Sequence, residues 1–428
     1  MTPTRTPVPS PRQAAERRGC PEDTSAGLSR RGLLRLGLGA AMVTATTLGG
    51  ARVAMAAPGA PADVLVVVSL RGGMDGLSLV VPSGDPDLLR WRPSIAVPGQ
   101  QLHRVDEMFG LHPAMAPLLP LWDAGTLGAV HACGMVAANR SHFEAMEVME
   151  EAAPDSSLRT GWIDRMVGVT GADSPFAATG LGLGAVPTSL RGPSPELVAQ
   201  SLAAVGVTVD PAGVPLSAWQ ESLTMLHDGE RHELSGPTHV GTAAAARLQQ
   251  LPAVGAYPSG RLAASLADVA RLVKADVGLR VATVDFGNWD MHSGLGTAEP
   301  GRWMYDQVAT LSAALAAFAA DLGPQLSRVC LVTLSEFGRR VRQNDSGGVD
   351  HGYGNAVLVM GGGIRGGRVH GRWPGLSEAA LVAGDLAVTT DYRDVLAELL
   401  SVRCGVPDVA GTVFPGLRPA PLGLARSS

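Results

Sequence analysis

Aromatic side chains are scarce in this sequence: seven Trp, seven Phe and four Tyr supply 4% of 428 residues. A core must therefore come from Ala, Val and Leu, and at 46% hydrophobic residues the chain has enough of them. Cysteine is rarer still. Cys20, Cys133, Cys330 and Cys404 lie far apart with no C-x-x-C pair, which points to buried free thiols rather than a disulfide framework or a cysteine metal site. Charge is low at 17%, and basic residues are in deficit. The first 57 residues hold eight arginines and three acids, so the formal −5 divides into +5 there and −10 beyond. An acidic remainder lacks the electrostatic footprint of a nucleic-acid or anionic-lipid binder. Beyond residue 57 there is also no apolar run long enough to span a bilayer, so no stable membrane span is expected in the mature chain.

What is abundant is glycine (54) and proline (31), the composition of a loop-rich α/β protein. Residues 1–57 stand apart. Arg30 and Arg31 precede Leu33 and Leu34, a modest apolar stretch follows, and Ala54-Met55-Ala56 ends it. That order predicts a twin-arginine export signal cleaved after Ala56 or Ala57, with the Tat translocase as a transient partner.

Along the rest, "DVLVVVSL" (63–70) is a continuous β-branched run, as in a strand buried on both faces. "TLGAVHACG", "LRVATVDF", "RVCLVTL" and "AVLVMGGG" read as further strands. Helices are predicted at about 111–123, from Ser141, at 259–275, at 302–321 and over "DYRDVLAELLSVRCG". Between about 155 and 255 the pattern weakens, with possible helices at 216–227 and 240–250. This stretch is expected to be an insertion or cap on a single domain covering 58–428. Strands alternating with helices predict a mostly parallel sheet.

In such sheets ligands sit beyond the carboxyl ends of the strands. Those ends carry the rare polar residues here: Asp75 after the first strand, Asn139, Arg140, Ser141 and His142 after the second, Asp290 and His292 after "LRVATVDF", and Glu336, Arg339, Asp350 and His351 after "RVCLVTL". Carboxylates and imidazoles converging from several loops are what a divalent cation requires. Asp290-x-His292 has period two, so an extended backbone aims both side chains one way. Ser141 admits two readings. With Glu144 it forms an S-x-x-E capping box, or it is a nucleophile activated at a helix N-terminus. Arg140 and Asn139 either hold anionic substrate oxygens or lie on the surface, and Asp75 is either a ligand or a turn residue. Glu336, so close to a buried strand end, should be paired or liganded. His142 stays open, and the other histidines read as structural or exposed.

The same segments carry a family resemblance. "LVVVSLRGGMDGLSLVVP", "GLHPAMAPLLPLW", "NRSHFEAMEVME", "GNWDMHSG", "LSEFGRRVRQNDSGGVDHGYGN", "GGRVHGRWPGL" and "DLAVTTDYRDVLAELL" together resemble the Tat-exported bacterial family named domain of unknown function 1501. That family belongs to the alkaline phosphatase-like superfamily. The resemblance implies a three-layer α/β/α sandwich, two divalent metal ions (zinc foremost) at the strand ends, and a serine nucleophile placed like Ser141. It implies metal ligation by Asp75, Asp290 and His292, with Glu336 and the Asp350-His351 pair competing for the remaining positions, and Arg339 and Asn139 near substrate. C-x-P-x-R and S-x-P-x-R do not occur, which sets aside a formylglycine sulfatase. The expectation is an exported hydrolase of phosphate or sulfate esters, acting on an anionic small molecule or glycan. Its rival is an exported binding or assembly protein on the same scaffold.

Overall fold

The computed structural model describes residues 63–427 apart from 155, 173, 195, 206–220, 223–224 and 226–243. The predicted export signal, Cys20 and most of the predicted helix at 216–227 lie outside the described residues. β1 (Val64–Leu70) forms where the β-branched run predicted it. The other strands are β2 (Val80–Val81), β3 (His103–Arg104), β4 (Gly110–Leu111), β5 (Leu127–Gly134), β6 (Ala178–Leu181), β7 (Glu196–Ala199), β8 (Val281–Phe286), β9 (Val329–Leu334), β10 (Asn355–Gly361), β11 (Val369–His370) and β12 (Thr390–Asp391). The longer helices are α1 (His142–Glu151), α2 (Trp162–Thr170), α3 (Arg261–Lys274), α4 (Trp303–Leu322) and α5 (Tyr392–Val402).

The main sheet runs β11-β5-β10-β9-β1-β8-β6-β7, with β12 also paired to β5; β2, β4 and β3 make a small separate sheet. β1 is central, with Val66 in parallel register with Ala282 on one side and Leu331 on the other. β10 is antiparallel to both β5 and β9, so those two run the same way as each other and as β1. The mostly parallel sheet thus holds, with β10 reversed between its neighbours.

Alternation along β1 explains the layers. Val64, Val66 and Val68 face one core with Leu266 and Val269 of α3 and Leu311 and Leu315 of α4. Leu65 and Val67 face another with Ile163 and Met166 of α2 and Leu396 and Leu399 of α5. Helices cover both faces, giving a three-layer α/β/α sandwich. Among the described residues no helix is long and apolar enough to cross a membrane. Cys133, Cys330 and Cys404 are buried free thiols.

Two expectations change. The helix predicted over 111–123 divides into a 3-10 segment, Pro113–Leu118, and an α turn, Leu119–Asp123, because Pro117 and Pro120 each lack an amide to continue the ladder. Within the stretch expected as an insertion, β6 and β7 extend the main sheet beyond β8. Their four-residue runs between glycine and proline loops are too short to show a period.

Candidate metal centre

β1, β5, β8 and β9 end along one edge of the sheet, which brings four loops together. In the loop after β8, Trp289 and Met291 are buried while Asp290 and His292 are exposed, so strict alternation turns the acid and the imidazole to the same side. Gly72, after β1, has φ +110, and a Cβ there would lie 2.9 Å from the Asp290 amide nitrogen. Only glycine lets these two loops pass so closely.

The convergence point is Asp290 Oδ1. It lies 3.0 Å from His292 Nε2, 3.3 Å from His351 Nε2 and 3.5 Å from His142 Nε2. His292 Nε2 and His351 Nε2 are 2.9 Å apart. The far nitrogen of each ring meets an acceptor: His142 Nδ1 reaches Glu336 Oε1 at 2.8 Å, His292 Nδ1 reaches Asp350 Oδ1 at 2.9 Å, and His351 Nδ1 reaches the Arg140 carbonyl at 2.8 Å. A backbone carbonyl or an ionised carboxylate can only accept, so each Nδ1 carries the ring proton. A ring carrying its one proton there presents an Nε2 lone pair to the same point. His142 Nε2 is buried without a hydrogen-bond partner among the described residues, as a waiting ligand would be.

Three imidazole lone pairs and a carboxylate oxygen repel one another unless a cation lies between them. The distances to Asp290 Oδ1 are of the size a cation needs: ligands 2.0–2.1 Å from a tetrahedral centre are about 3.3 Å apart along an edge. Histidines oriented through the second nitrogen by carboxylates and a carbonyl are the usual supporting shell of such a site. Among the described residues, one group of three or more metal-ligating side chains is found, His142, Asp290 and His351, and His292 adjoins it.

The electrostatics prepare the acid. Burial opposes the charge on Asp290, but the Arg339 guanidinium 2.6 Å away and the neighbouring histidines outweigh it and push the carboxyl down to about 2. Asp350 is held below the usual carboxylate range chiefly by its bond to His292. Burial pushes the His351 imidazole down, which favours the neutral form that ligates.

Several candidates do other work. Asp75 is corrected from ligand to ion-pair partner. It is buried, its Oδ2 and Oδ1 lie 2.5 Å and 2.9 Å from the buried Arg92 guanidinium, and Ser78 Oγ donates to it at 2.6 Å. Burial raises its pKa, yet Arg92 prevails and holds it below normal. Glu336 is paired, as a buried acid must be, to His142 and the Gly72 amide at 2.8 Å, a place from which it orients the His142 ring. Arg339 is fully buried and donates to the carbonyls of Gly72, Gly73, Val349 and Trp289 besides Asp290, so its guanidinium ties three loops together. Asn139 accepts the Ser141 amide at 2.9 Å.

Ser141 is the N-cap of α1, but its side chain makes no capping bond, so the capping box does not form. Among the described residues its hydroxyl has no hydrogen-bond partner, and it adjoins His142. Sequence reasoning left His142 undecided. Its position at a helix start beyond a strand end was the available signal, masked by the capping pattern of its neighbour.

The chain belongs to the family described as "Protein of unknown function (DUF1501)", whose model matches residues 62–401. No curated protein sequence matches it. Among solved structures it is similar to the C-terminal periplasmic domain of EcEptC from Escherichia coli in complex with Zn (10% identity, 71% of this chain and 74% of that one, TM-score 0.33). It is similar also to the lipoteichoic acid synthase LtaP from Listeria monocytogenes (7%, 77% and 74%, TM-score 0.33). A third is the PsFucS1 sulfatase from Pseudoalteromonas sp. (13%, 86% and 74%, TM-score 0.29).

Proposed function

We propose that this protein is an exported, metal-dependent hydrolase of phosphate or sulfate esters that uses one ion. The observation that carries the reading is the meeting of three Nε2 lone pairs at Asp290 Oδ1, each ring fixed by an acceptor behind it. Two ions were expected from the family resemblance. Asp75 favours one, because both its oxygens already face Arg92. An imidazole-rich donor set suits zinc.

When bound, a divalent cation supplies charge that offsets the negative charge developing on the ester oxygens. The chain's own residues do the rest. His142, His292, His351 and Asp290 hold the ion's position, and Glu336, Asp350 and the Arg140 carbonyl fix the rings. Ser141, with its uncommitted hydroxyl at the uncapped start of α1, is the nucleophile. Its oxygen bonds to phosphorus or sulfur as the bond to the leaving oxygen breaks, its proton passes to solvent, and water later frees the serine. The Tat route and an anionic ester or glycan substrate complete the reading.

The commitment of Asp75 and Arg339 to internal pairs also favours a second reading, a non-catalytic binding or assembly protein with a structural ion. Assays of the purified protein against aryl phosphate, phosphodiester and sulfate esters, with and without chelator, separate the two. Chelator-sensitive turnover lost in Ser141→Ala supports the hydrolase, whereas bound metal without turnover supports the scaffold.

A further inference from the structure

The rim of the metal centre holds an ion cluster that the ligand set does not use. Asp385, 1% exposed, faces two arginines at once. Arg140 donates to its Oδ2 through Nη2 and, at 3.2 Å, through Nε. Arg340 Nε lies 3.3 Å from Oδ1, and its Nη2 donates to the Ala383 carbonyl. One carboxylate cannot neutralise two guanidiniums, which are never deprotonated in proteins, so Asp385 alone leaves one positive charge, on which the Asp350 carboxylate also acts through Arg340.

Both arginines are joined to the centre through their backbones. The Arg140 carbonyl accepts His351 Nδ1–H, and the Arg340 amide donates to the Asp350 carbonyl at 2.9 Å. Their side chains are 42% and 38% exposed, so the surplus charge faces solvent rather than the core. Among the described residues neither Nη1 has a hydrogen-bond partner. The geometry is built at some cost. Val382 and Asp385 close a tight turn with paired backbone bonds of 3.0 Å, and its two central residues, Ala383 (φ +52) and Gly384 (φ +85), are both left-handed. A Cβ on Gly384 would meet Arg340 Nη2 at 2.7 Å, so glycine makes room for the guanidinium. Ala383, a residue with a Cβ, is disfavoured in that region.

We infer that Arg140 and Arg340, seated on Asp385, form a subsite for a second anionic group, so that the substrate is an ester bearing a further phosphate, sulfate or carboxylate beside the group at the metal. This inference rests on the ester-hydrolase reading of the adjoining centre. A fork of guanidiniums matches such oxyanions in a way that a single mobile lysine does not. Neutral esters gain nothing from it.

The test is calorimetric binding to the metal-loaded full chain of two probes, ethyl phosphate and phosphoglycolate, which share a phosphate and differ in a second anion. Phosphoglycolate is expected to bind at least ten-fold more tightly, and Arg340→Gln to remove most of that margin while leaving ethyl phosphate affinity within about two-fold. Equal affinities in the unaltered protein overturn the subsite and leave the metal-centre reading standing. Binding of neither probe overturns both. Should a glutamine variant not fold, the comparison of the two probes on the unaltered chain still decides, and collapse of the margin in raised salt supports the charge origin.

Discussion

His142 Nδ1 lies 2.8 Å from Glu336 Oε1, and the same oxygen accepts the Gly72 amide at 2.8 Å, so the loop after β1 fixes an acid that fixes the His142 ring on α1. Glu336 is 3% exposed and His142 Nε2, on the opposite side of the ring, is the unpartnered buried nitrogen that points to the centre. Replacing Glu336 with alanine removes the acceptor and frees the ring to take the other tautomer. Metal affinity, measured by competition with a chromogenic chelator, should fall by about 10–100-fold. Unchanged affinity would show that the acid does not orient His142.

Asp75 and Arg92 give the opposite expectation. Asp75→Asn leaves a buried guanidinium without its charge partner, which costs about 3–5 kcal/mol in unfolding free energy. Denaturant unfolding should report that loss, while the folded variant binds the same number of ions as the parent. A drop in metal content at full stability would instead restore Asp75 as a ligand.

Ser141→Ala removes only a hydroxyl with no partner among the described residues. Stability and metal content should hold within error, and ester turnover should fall by at least a hundred-fold. Full activity in this variant would sink the nucleophile assignment.

Acid sensitivity should come from histidines away from the centre. Burial pushes His112 and His131 down from 6.5 to about 4, and His131 is held neutral between the Val80 carbonyl and the Ala132 amide. Both stay unprotonated in the fold while the unfolded chain gains protons below 6.5. Stability therefore falls as pH drops from about 6.5 toward 4, and levels off once the folded forms also protonate. Melting temperature of metal-free protein across that window should show a smaller slope in His131→Phe than in the parent. An identical slope would mean that His131 is not buried in neutral form.

The strands and the Asp290-His292 pair were legible because periodicity survives in sequence: a continuous β-branched run for β1, and alternation with buried Trp289 and Met291 for the pair. The pairing of Asp75 with Arg92, 17 residues on, left no such trace, because a buried bidentate pair looks like a turn acid and a surface arginine. Arg339 was misread for the same reason. Its role comes from five acceptors on three strand-end loops, which only the folded topology assembles. Asp385 went unnoticed because its arginines lie 245 and 45 residues away.

The most direct test is the metal content of the purified protein, loaded with zinc, desalted and measured by elemental mass spectrometry against protein concentration, alongside His142→Ala, His351→Ala and Asp75→Asn. One ion per chain is expected in the parent and in Asp75→Asn, and a marked loss in both histidine variants. Two ions per chain, or one ion undisturbed by loss of His142 and His351, would contradict the single centre built on Asp290.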